Sequence, residues 1–526
     1  MIRKSIYAAL LCSTAFAISG TAFAQDPAPQ AEPTEPDASD TTADAAIAQA
    51  TAVDEAQARI ELLQAQVEAL QEALEGVKAA MVKTTPTWKG APQFDDKEAG
   101  WSFKPRGRVQ FDVGYVENPG NDIVTRNLGF NTRARRLRLG VEGTIPGGFG
   151  YKAEMDFANS SVGFGDVIIT YAMAGKPFNF TIGNHETLNG LEQISSSRFL
   201  SFVERAAFDD AFINTRRIGL SAGYVKNAFR LNAGIFAAHS IDSSLDNDGW
   251  IAAARATYSP LMGANQLHFG ANYQHRDFQS NNGSTVNAQS SGEPSANQRV
   301  RYRARPFSQL TDQRFANTDF FAAKSDTIFG LEFAGIFKSF HIAAEGQYIV
   351  ANAYDRGDTT AGGADPLDLF STTSVFVPNG NPSFWGGYAE LGYYFTGETR
   401  GYKTGTWDRT KVLKPFSKGG WGALQLNGRV DYLDLDSSRL KNGCSNNFAT
   451  GVCTGSPVLS KGGKQLGLLA SLVWIPEDYM RFYLQYSHAA ITGGPFAAAV
   501  KPTSSKPIDE RKYGVDTVAA RAQVDF

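Results

Sequence analysis

Beyond about residue 100, apolar and polar residues alternate one by one along most of this chain. The end of the chain shows the pattern plainly. Val518, Ala520, Ala522, Val524 and Phe526 are apolar, and Arg521, Gln523 and Asp525 stand between them. A period of two is that of a β-strand with one greasy and one wet face. Sixteen such segments can be marked, from Arg106–Val116 and Arg135–Ile145, through Gln266–Arg276 and His341–Ala353, to Met480–His488 and Thr517–Phe526. The connections alternate as well. Lys176-Pro177, Lys226-Asn227, Lys338-Ser339 and Pro476-Glu477-Asp478 are tight, whereas Glu186–Arg216, Asp277–Asp326, Tyr354–Ser383, Ser437–Gly463 and Ala489–Asp516 are long. An even number of two-faced strands joined alternately by short turns and long loops predicts an all-β fold. The expected form is a sixteen-stranded antiparallel transmembrane β-barrel with lipid outside and water inside.

The same parity sorts the wall. Leu424, Leu426, Leu468, Phe482, Leu484 and Val524 fall on the lipid side, and Gln425, Asn427, Arg429, Arg481, Gln485 and Arg521 on the lumen side. A charge at mid-bilayer on the lipid face costs about 2–4 kcal/mol, so the sorting is strongly enforced. By this rule Arg136 and Arg138 face inward with Glu142. Arg135 has lipid parity, and needs either a β-bulge or a place outside the hydrocarbon band.

The first part of the chain follows a different rule. Residues 1–24 read as a secretory signal peptide, with Arg3 and Lys4, an apolar core and Ala22-Phe23-Ala24 before the cut. Residues 25–52, rich in Pro, Ala, Asp and Thr, read as a disordered spacer. Within 53–83, Ile60, Leu63, Val67, Leu70, Leu74, Val77 and Met81 recur in alternating steps of three and four. That is the seam of a coiled coil. An amphipathic helix lying on a membrane is the competing reading, and the Ala and Gln flanking the seam favour self-association over a basic lipid-binding face. Residues 84–102 are a linker, and 103–526 form the barrel.

Composition changes the picture little. The hydrophobic fraction of 42% and a mean hydropathy of −0.26 would suit a soluble protein, but a barrel whose lumen half is polar escapes that test. Once the signal is removed, Cys444 and Cys453 are the remaining cysteines, and an exported location makes a loop disulfide the natural reading. The six histidines are scattered, so no metal or other cofactor is expected. No nucleophile motif, Walker loop or dinucleotide fingerprint stands out, so an enzyme is not expected. Export to an outer membrane sets nucleic acid aside as a partner.

The net charge is −3, so any ion preference must come from local placement. Arg299, Arg301, Arg303 and Arg305 share one side of an extended segment in the 277–326 loop. They could line a pore for anions, as basic side chains do in anion channels. Equally, they could pair with lipopolysaccharide phosphates or with loop carboxylates. The 186–216 loop adds Ser195-Ser-Ser-Arg198 and Glu204-Arg205. Guanidinium forks match phosphate oxygens bidentately, and serines supply further donors.

The stretch from Ile182 to Gly223 (IGNHETLNGLEQISSSRFLSFVERAAFDDAFINTRRIGLSAG) resembles the phosphate-selective porin O and P family. So do Arg133-Ala-Arg-Arg-Leu-Arg-Leu-Gly-Val-Glu-Gly143, Tyr388-Ala-Glu-Leu-Gly-Tyr-Tyr-Phe-Thr-Gly-Glu398 and Arg429-Val-Asp-Tyr-Leu-Asp-Leu435. The resemblance implies a homotrimer of sixteen-stranded barrels in which the 186–216 loop folds into each pore. Carried over by motif, it implies an anion site at Arg135, Arg136, Ser196, Ser197, Arg198 and Arg205, with Asp166 before the fourth strand and Arg138 beside the pair. The expected function is passive diffusion of small anions, phosphate or related oxyanions, across a bacterial outer membrane, with the N-terminal helix in the periplasm. A nonspecific or sugar-admitting porin, and a plugged barrel serving as an envelope tether, are the alternatives.

Overall fold

The computed structural model describes residues 41–526 apart from 85, 89, 97, 121, 159–161, 214, 240, 242–247, 280–295, 354–377, 441, 445–456, 460, 502 and 504. Side chains are described for these except at 41–53, 77–84, 296, 442–444 and 457–459. The signal segment and Cys453 therefore lie outside the described residues, as do the side chains of Cys444, Val77 and Met81.

The chain divides into Met1–Met81 and Val82–Phe526. Among its described residues the first contains one long helix, α1 (Thr41–Thr84), which includes the 53–83 segment. Its seam residues Ile60, Leu63, Val67, Leu70 and Leu74 are all more than half exposed on the isolated chain.

In the second, sixteen strands close on themselves. They are β1 (Trp101–Val116), β2 (Gly129–Ile145), β3 (Phe149–Asp156), β4 (Gly163–Ala172), β5 (Phe178–Glu186), β6 (Arg216–Lys226), β7 (Phe229–Ala237) and β8 (Trp250–Tyr258). The second half is β9 (Asn265–Asp277), β10 (Phe321–Phe337), β11 (Phe340–Ala353), β12 (Ser383–Tyr394), β13 (Ala423–Asp434), β14 (Lys464–Glu477), β15 (Met480–Thr492) and β16 (Lys512–Asp525). All neighbours pair antiparallel, and β16 returns to β1 with Thr517 opposite Val116 and Asp525 opposite Arg108. Closure leaves no strand edge unpaired, which is the condition for a sheet to span lipid. The alternation reads directly onto the wall. In β15, Arg481, Tyr483, Gln485 and Ser487 are buried toward the lumen, while Phe482, Leu484 and Tyr486 are exposed on the outside.

The seam is finished by the last residue. Phe526 and Gly107 exchange two backbone hydrogen bonds of 3.0 Å each. A Cβ at Gly107 would fall 2.0 Å from the Phe526 ring, so the terminal aromatic covers a position that only glycine can leave open.

The lumen is not uniformly open. The 187–215 loop turns inward from β5 and crosses to the opposite wall, burying Leu191, Phe199, Phe202, Phe208 and Phe212. These join Tyr302, Phe307, Phe321, Phe384 and Tyr388 in one apolar cluster. The wall supplies the hydrogen bonds the loop backbone would otherwise lack. Leu191 and Glu192 N–H donate to Glu345 (2.6 and 2.8 Å), Val203 N–H to Gln485 (2.9 Å) and Ala207 N–H to Asp431 (3.2 Å). Arg429 joins the Glu192 carboxylate of the loop to Glu390 of the wall. The inward wall carboxylates Glu345, Glu390 and Asp431 are thus taken up in anchoring the loop, while Glu332 is paired within the wall with Arg255 and His268.

One connection departs from the alternation of short and long. Residues 395–422 join β12 to β13 on the turn side, where the other six connections are short. This segment rises into the lumen as a small hairpin, Tyr402–Lys403 with Thr406–Trp407, and meets the infolded loop. Trp407 N–H donates to Ser195 Oγ (2.9 Å), and Arg400 donates to the Phe199 carbonyl (3.0 Å). Trp407 and Val412 are buried in the apolar cluster, and that burial draws the segment inward. The chain enters the barrel at the same end. Pro92–Asp96 pairs with the start of β1, and Gly100 packs on Pro146 of a short turn.

Candidate functional site

The infolded loop leaves open the side of the lumen walled by β1–β8, in two cavities. The loop-side cavity measures about 540 Å³ and the turn-side cavity about 610 Å³. Glu186, Arg205 and Arg216 line both, and so mark the neck between them. The loop-side cavity presents five basic and four acidic side chains. The turn-side cavity presents ten basic and four acidic ones. The basic side chains are wall residues on inward parity (Arg106, Arg108, Arg136, Arg138 and Lys152) together with Arg198, Arg205, Arg216, Arg255 and Lys403. Of these, Arg106, Arg138, Arg198 and Arg255 are paired with Glu142, Asp156, Asp525 and Glu332, carboxylates just outside this lining.

A β-bulge decides where the adjacent arginines go. On β2, Arg136 pairs with Gln110 and Ala134 with Phe111, leaving Arg135 as the extra residue. The bulge lets both arginines point inward but sends them apart. Arg135 lines the loop-side cavity and Arg136 the turn-side one. Their partners differ too. Arg135 forks onto Glu204 of the infolded loop (2.6 and 2.9 Å), and Glu204 is also reached by Arg521 (3.0 Å). Burial alone would raise Glu204, but the two guanidinium groups outweigh it and hold its carboxyl well below the usual range. Arg136, by contrast, donates to the Gln110 side-chain carbonyl (2.8 Å) and forms no ion pair among the described residues. Its Nε is buried without an acceptor.

Around Arg136 the structure gathers Ser196, Ser197 and Arg198. Arg108 donates to Ser197 Oγ (2.6 Å) and Ser196 Oγ (3.3 Å), and has a carboxylate, Glu154, only at 4.0 Å. Arg198 donates to Ser196 Oγ (3.1 Å) and lies 3.4 Å from Asp525. Arg138 is neutralised by Glu154 (2.7 Å) and Asp156 (2.8 Å). Asp166 lies within β4 and not before it, paired to Arg216 (2.6 Å) and to Lys152. Arg205 staples the loop to itself, donating to the carbonyls of Glu192, Gln193 and Ser195 at 2.9–3.1 Å, while still bordering both cavities.

The second basic loop also turns inward. Arg299, Arg301 and Arg303 line a third cavity of about 470 Å³ on the loop side, and Arg305 borders the first while held by Asp210 (3.2 Å). Tyr302 and Ala304, on the opposite parity, are buried in the apolar cluster and fix that orientation. Phe307 packs into the gap left by Gly467 of β14.

Sequence reasoning missed Arg108, Lys152 and Arg216 as lining residues. The signal for Arg108 was available, since Arg106–Val116 alternation puts it inward. For Arg216 there was only its position at a loop end. No group of His, Cys, Asp and Glu among the described residues could hold a metal ion.

A closed sixteen-stranded barrel, lipid-facing outside and narrowed by an infolded loop, is the architecture of an outer-membrane porin. The chain belongs to the phosphate-selective porin O and P family, whose model matches residues 103–500. It is 35% identical over 458 residues to an uncharacterized protein of Caulobacter vibrioides, covering 85% of this chain and 78% of that one. It is 28% identical over 200 residues to Porin O of Pseudomonas aeruginosa, covering 36% of this chain and 45% of that one. Among solved structures, the anion-selective porin from Comamonas acidovorans superposes with a TM-score of 0.42 at 13% identity, over 81% of this chain and all (100%) of that one. OmpT of Vibrio cholerae, in a trimer form, gives 0.43 at 9% identity, over 81% of this chain and 100% of that one. The protein is therefore an outer-membrane β-barrel protein, and its family and fold are those of a channel.

Proposed function

We propose that the protein conducts small anions passively, with phosphate or related oxyanions as preferred solutes, through an arginine-lined constriction formed by Arg136, Arg108, Ser196, Ser197 and Arg198. The reading rests chiefly on Arg136, a buried guanidinium that forms no ion pair among the described residues and borders a cavity with ten basic and four acidic side chains. A buried charge without a partner is costly, and an anion passing the site relieves that cost. Arg108 and Arg198 replace part of the hydration shell, and the two serine hydroxyls donate to oxyanion oxygens. The surrounding carboxylates, Glu154, Asp166 and Asp525, keep the site from holding the anion too tightly for release. Arg299, Arg301 and Arg303 would collect anions on the loop side.

Charge cancellation at the neck favours a second reading, a general porin admitting neutral solutes. There Arg216 is answered by both Asp166 (2.6 Å) and Glu186 (2.8 Å). Phosphate titrated into a chloride-filled bilayer chamber separates the two. A conducting site for oxyanions shows concentration-dependent block of chloride current by phosphate. Chloride current indifferent to phosphate leaves the general porin.

We further propose a homotrimer, with α1 as a periplasmic coiled-coil stalk. The support is the exposed seam from Ile60 to Leu74 and the entry of residues 92–103 at the turn-side rim. The Cys444–Cys453 disulfide and contacts with lipopolysaccharide remain proposals from sequence.

A further inference from the structure

The turn-side segment 395–422 does more than fill the lumen. After Trp407 it leaves the barrel and runs along the rim to β13, where Lys411, Leu413, Lys414, Phe416, Lys418 and Trp421 are all exposed. Leu413, Phe416 and Trp421 expose 59, 63 and 83% of their surface, too much apolar area for a short segment that simply faces water. We propose that this face binds the headgroups of anionic phospholipids in the inner leaflet of the outer membrane.

Three features direct the face toward lipid. The first is continuity with the outward aromatic belt. Trp474 Nε1 donates to the Trp421 carbonyl (2.7 Å), Trp474 stacks on Phe482 with ring centroids 5.3 Å apart, and Leu413 lies beside Gly397 next to exposed Phe395. Aromatic belts of this kind sit at headgroup level.

The second is how the nearby carboxylates are used. Asp478 accepts from Val412 N–H (2.9 Å), Glu398 from Leu413 N–H (3.1 Å) and Glu477 from Ser417 N–H (2.5 Å). All three acids hold the backbone of the segment in place. Lys411, Lys414 and Lys418 form no ion pair among the described residues, so their ammonium groups are available to an external anion.

The third is rigidity. Gly420 N–H donates to the Pro415 carbonyl (3.0 Å) and Gly422 N–H to the Lys414 carbonyl (2.9 Å). The lysines and the apolar side chains are therefore presented from a fixed loop, with little ordering left for binding to require. A cluster of lysines beside membrane-inserting aromatics recognises anionic headgroups, each lysine near such a surface contributing roughly a fivefold gain.

The test uses the full-length protein in mild detergent, offered phosphatidylglycerol and phosphatidylcholine of identical acyl chains, with bound lipid counted by native mass spectrometry. The wild type should retain phosphatidylglycerol over phosphatidylcholine by on the order of a hundredfold if each of the three lysines contributes in full, and by tenfold at least. Lys411→Gln, Lys414→Gln and Lys418→Gln combined should abolish the preference, while the three corresponding Arg substitutions should keep it. Phe416→Ser with Trp421→Ser should lower retention of both lipids. Single-channel conductance and heat-resistant mobility should not change in any of these variants, because none of the altered side chains lines the lumen. Equal retention of both lipids by the wild type overturns the proposal, as does a preference that survives in the Gln variant.

Discussion

The adjacent arginines on β2 make the sharpest experiment, because the bulge between them gives two identical side chains different surroundings. Arg136 can offer its free N–H groups to a passing anion without breaking a protein ion pair. Arg135 has Nε and one Nη committed to Glu204 at 2.6 and 2.9 Å. Replacing Arg136 with Gln therefore removes a direct charge-assisted hydrogen bond, worth about 1.5–3 kcal/mol, which corresponds to roughly 10- to 150-fold weaker phosphate binding. Replacing Arg135 with Gln removes only a charge acting from the neighbouring cavity. At a separation of about 10 Å across water that is roughly 0.4 kcal/mol, or about twofold. The assay is phosphate block of chloride current through single channels in a planar bilayer, fitted to an apparent Kd for each variant at fixed ionic strength. The reasoning predicts a large loss for Arg136→Gln and a small one for Arg135→Gln. Equal losses, or no loss at position 136, would refute the division of labour drawn from the bulge.

Three further outcomes follow from the packing. Gly107→Ala should push Phe526 off the barrel seam at a cost of about 1–3 kcal/mol, visible as a lower midpoint of heat-induced mobility shift; an unchanged midpoint would mean the terminal aromatic does not depend on that gap. Glu204 is held low by Arg135 and Arg521, so its contribution to stability is complete above the ordinary carboxylate range near about pH 4.3 and declines as pH falls below it. Glu204→Gln should therefore lower the thermal midpoint at pH 7 and shrink the drop between pH 7 and pH 3; a variant with the full acid-induced drop counts against this. Deleting Val53 to Met81 should weaken oligomers in mild detergent, and native electrophoresis showing oligomers as resistant as the wild type would remove the stalk proposal.

The barrel was readable in the sequence because lipid enforces parity residue by residue. Each of the sixteen alternating segments became a strand, and in the last four strands Leu426, Leu466, Leu468, Leu472, Phe482 and Leu484 lie outside as alternation requires. Parity also flagged Arg135 as misplaced, and the structure answers with a bulge there. Alternation carries no information about pairing across the lumen. That Arg138 would meet Glu154 and Asp156, that Arg205 would staple three carbonyls, and that Glu345 would accept from the loop backbone depend on contacts between segments far apart in sequence. The inward turn-side segment was hidden for another reason. Its buried residues, Trp407 and Val412, follow no regular period. Counting connections was the available clue, since residues 395–422 are long on the side where turns are short.

Reversal potential across a KCl gradient, measured on purified protein in a neutral-lipid bilayer, tests the central claim most directly. The surplus of basic over acidic side chains lining the turn-side cavity, with Arg136 in no ion pair among the described residues, predicts a potential displaced toward the chloride equilibrium value, and a shift toward cation selectivity in Arg136→Glu. A wild-type potential on the potassium side of zero would contradict the account, because it would mean that the lumen carboxylates, and not the arginines, set the field that a permeating ion meets.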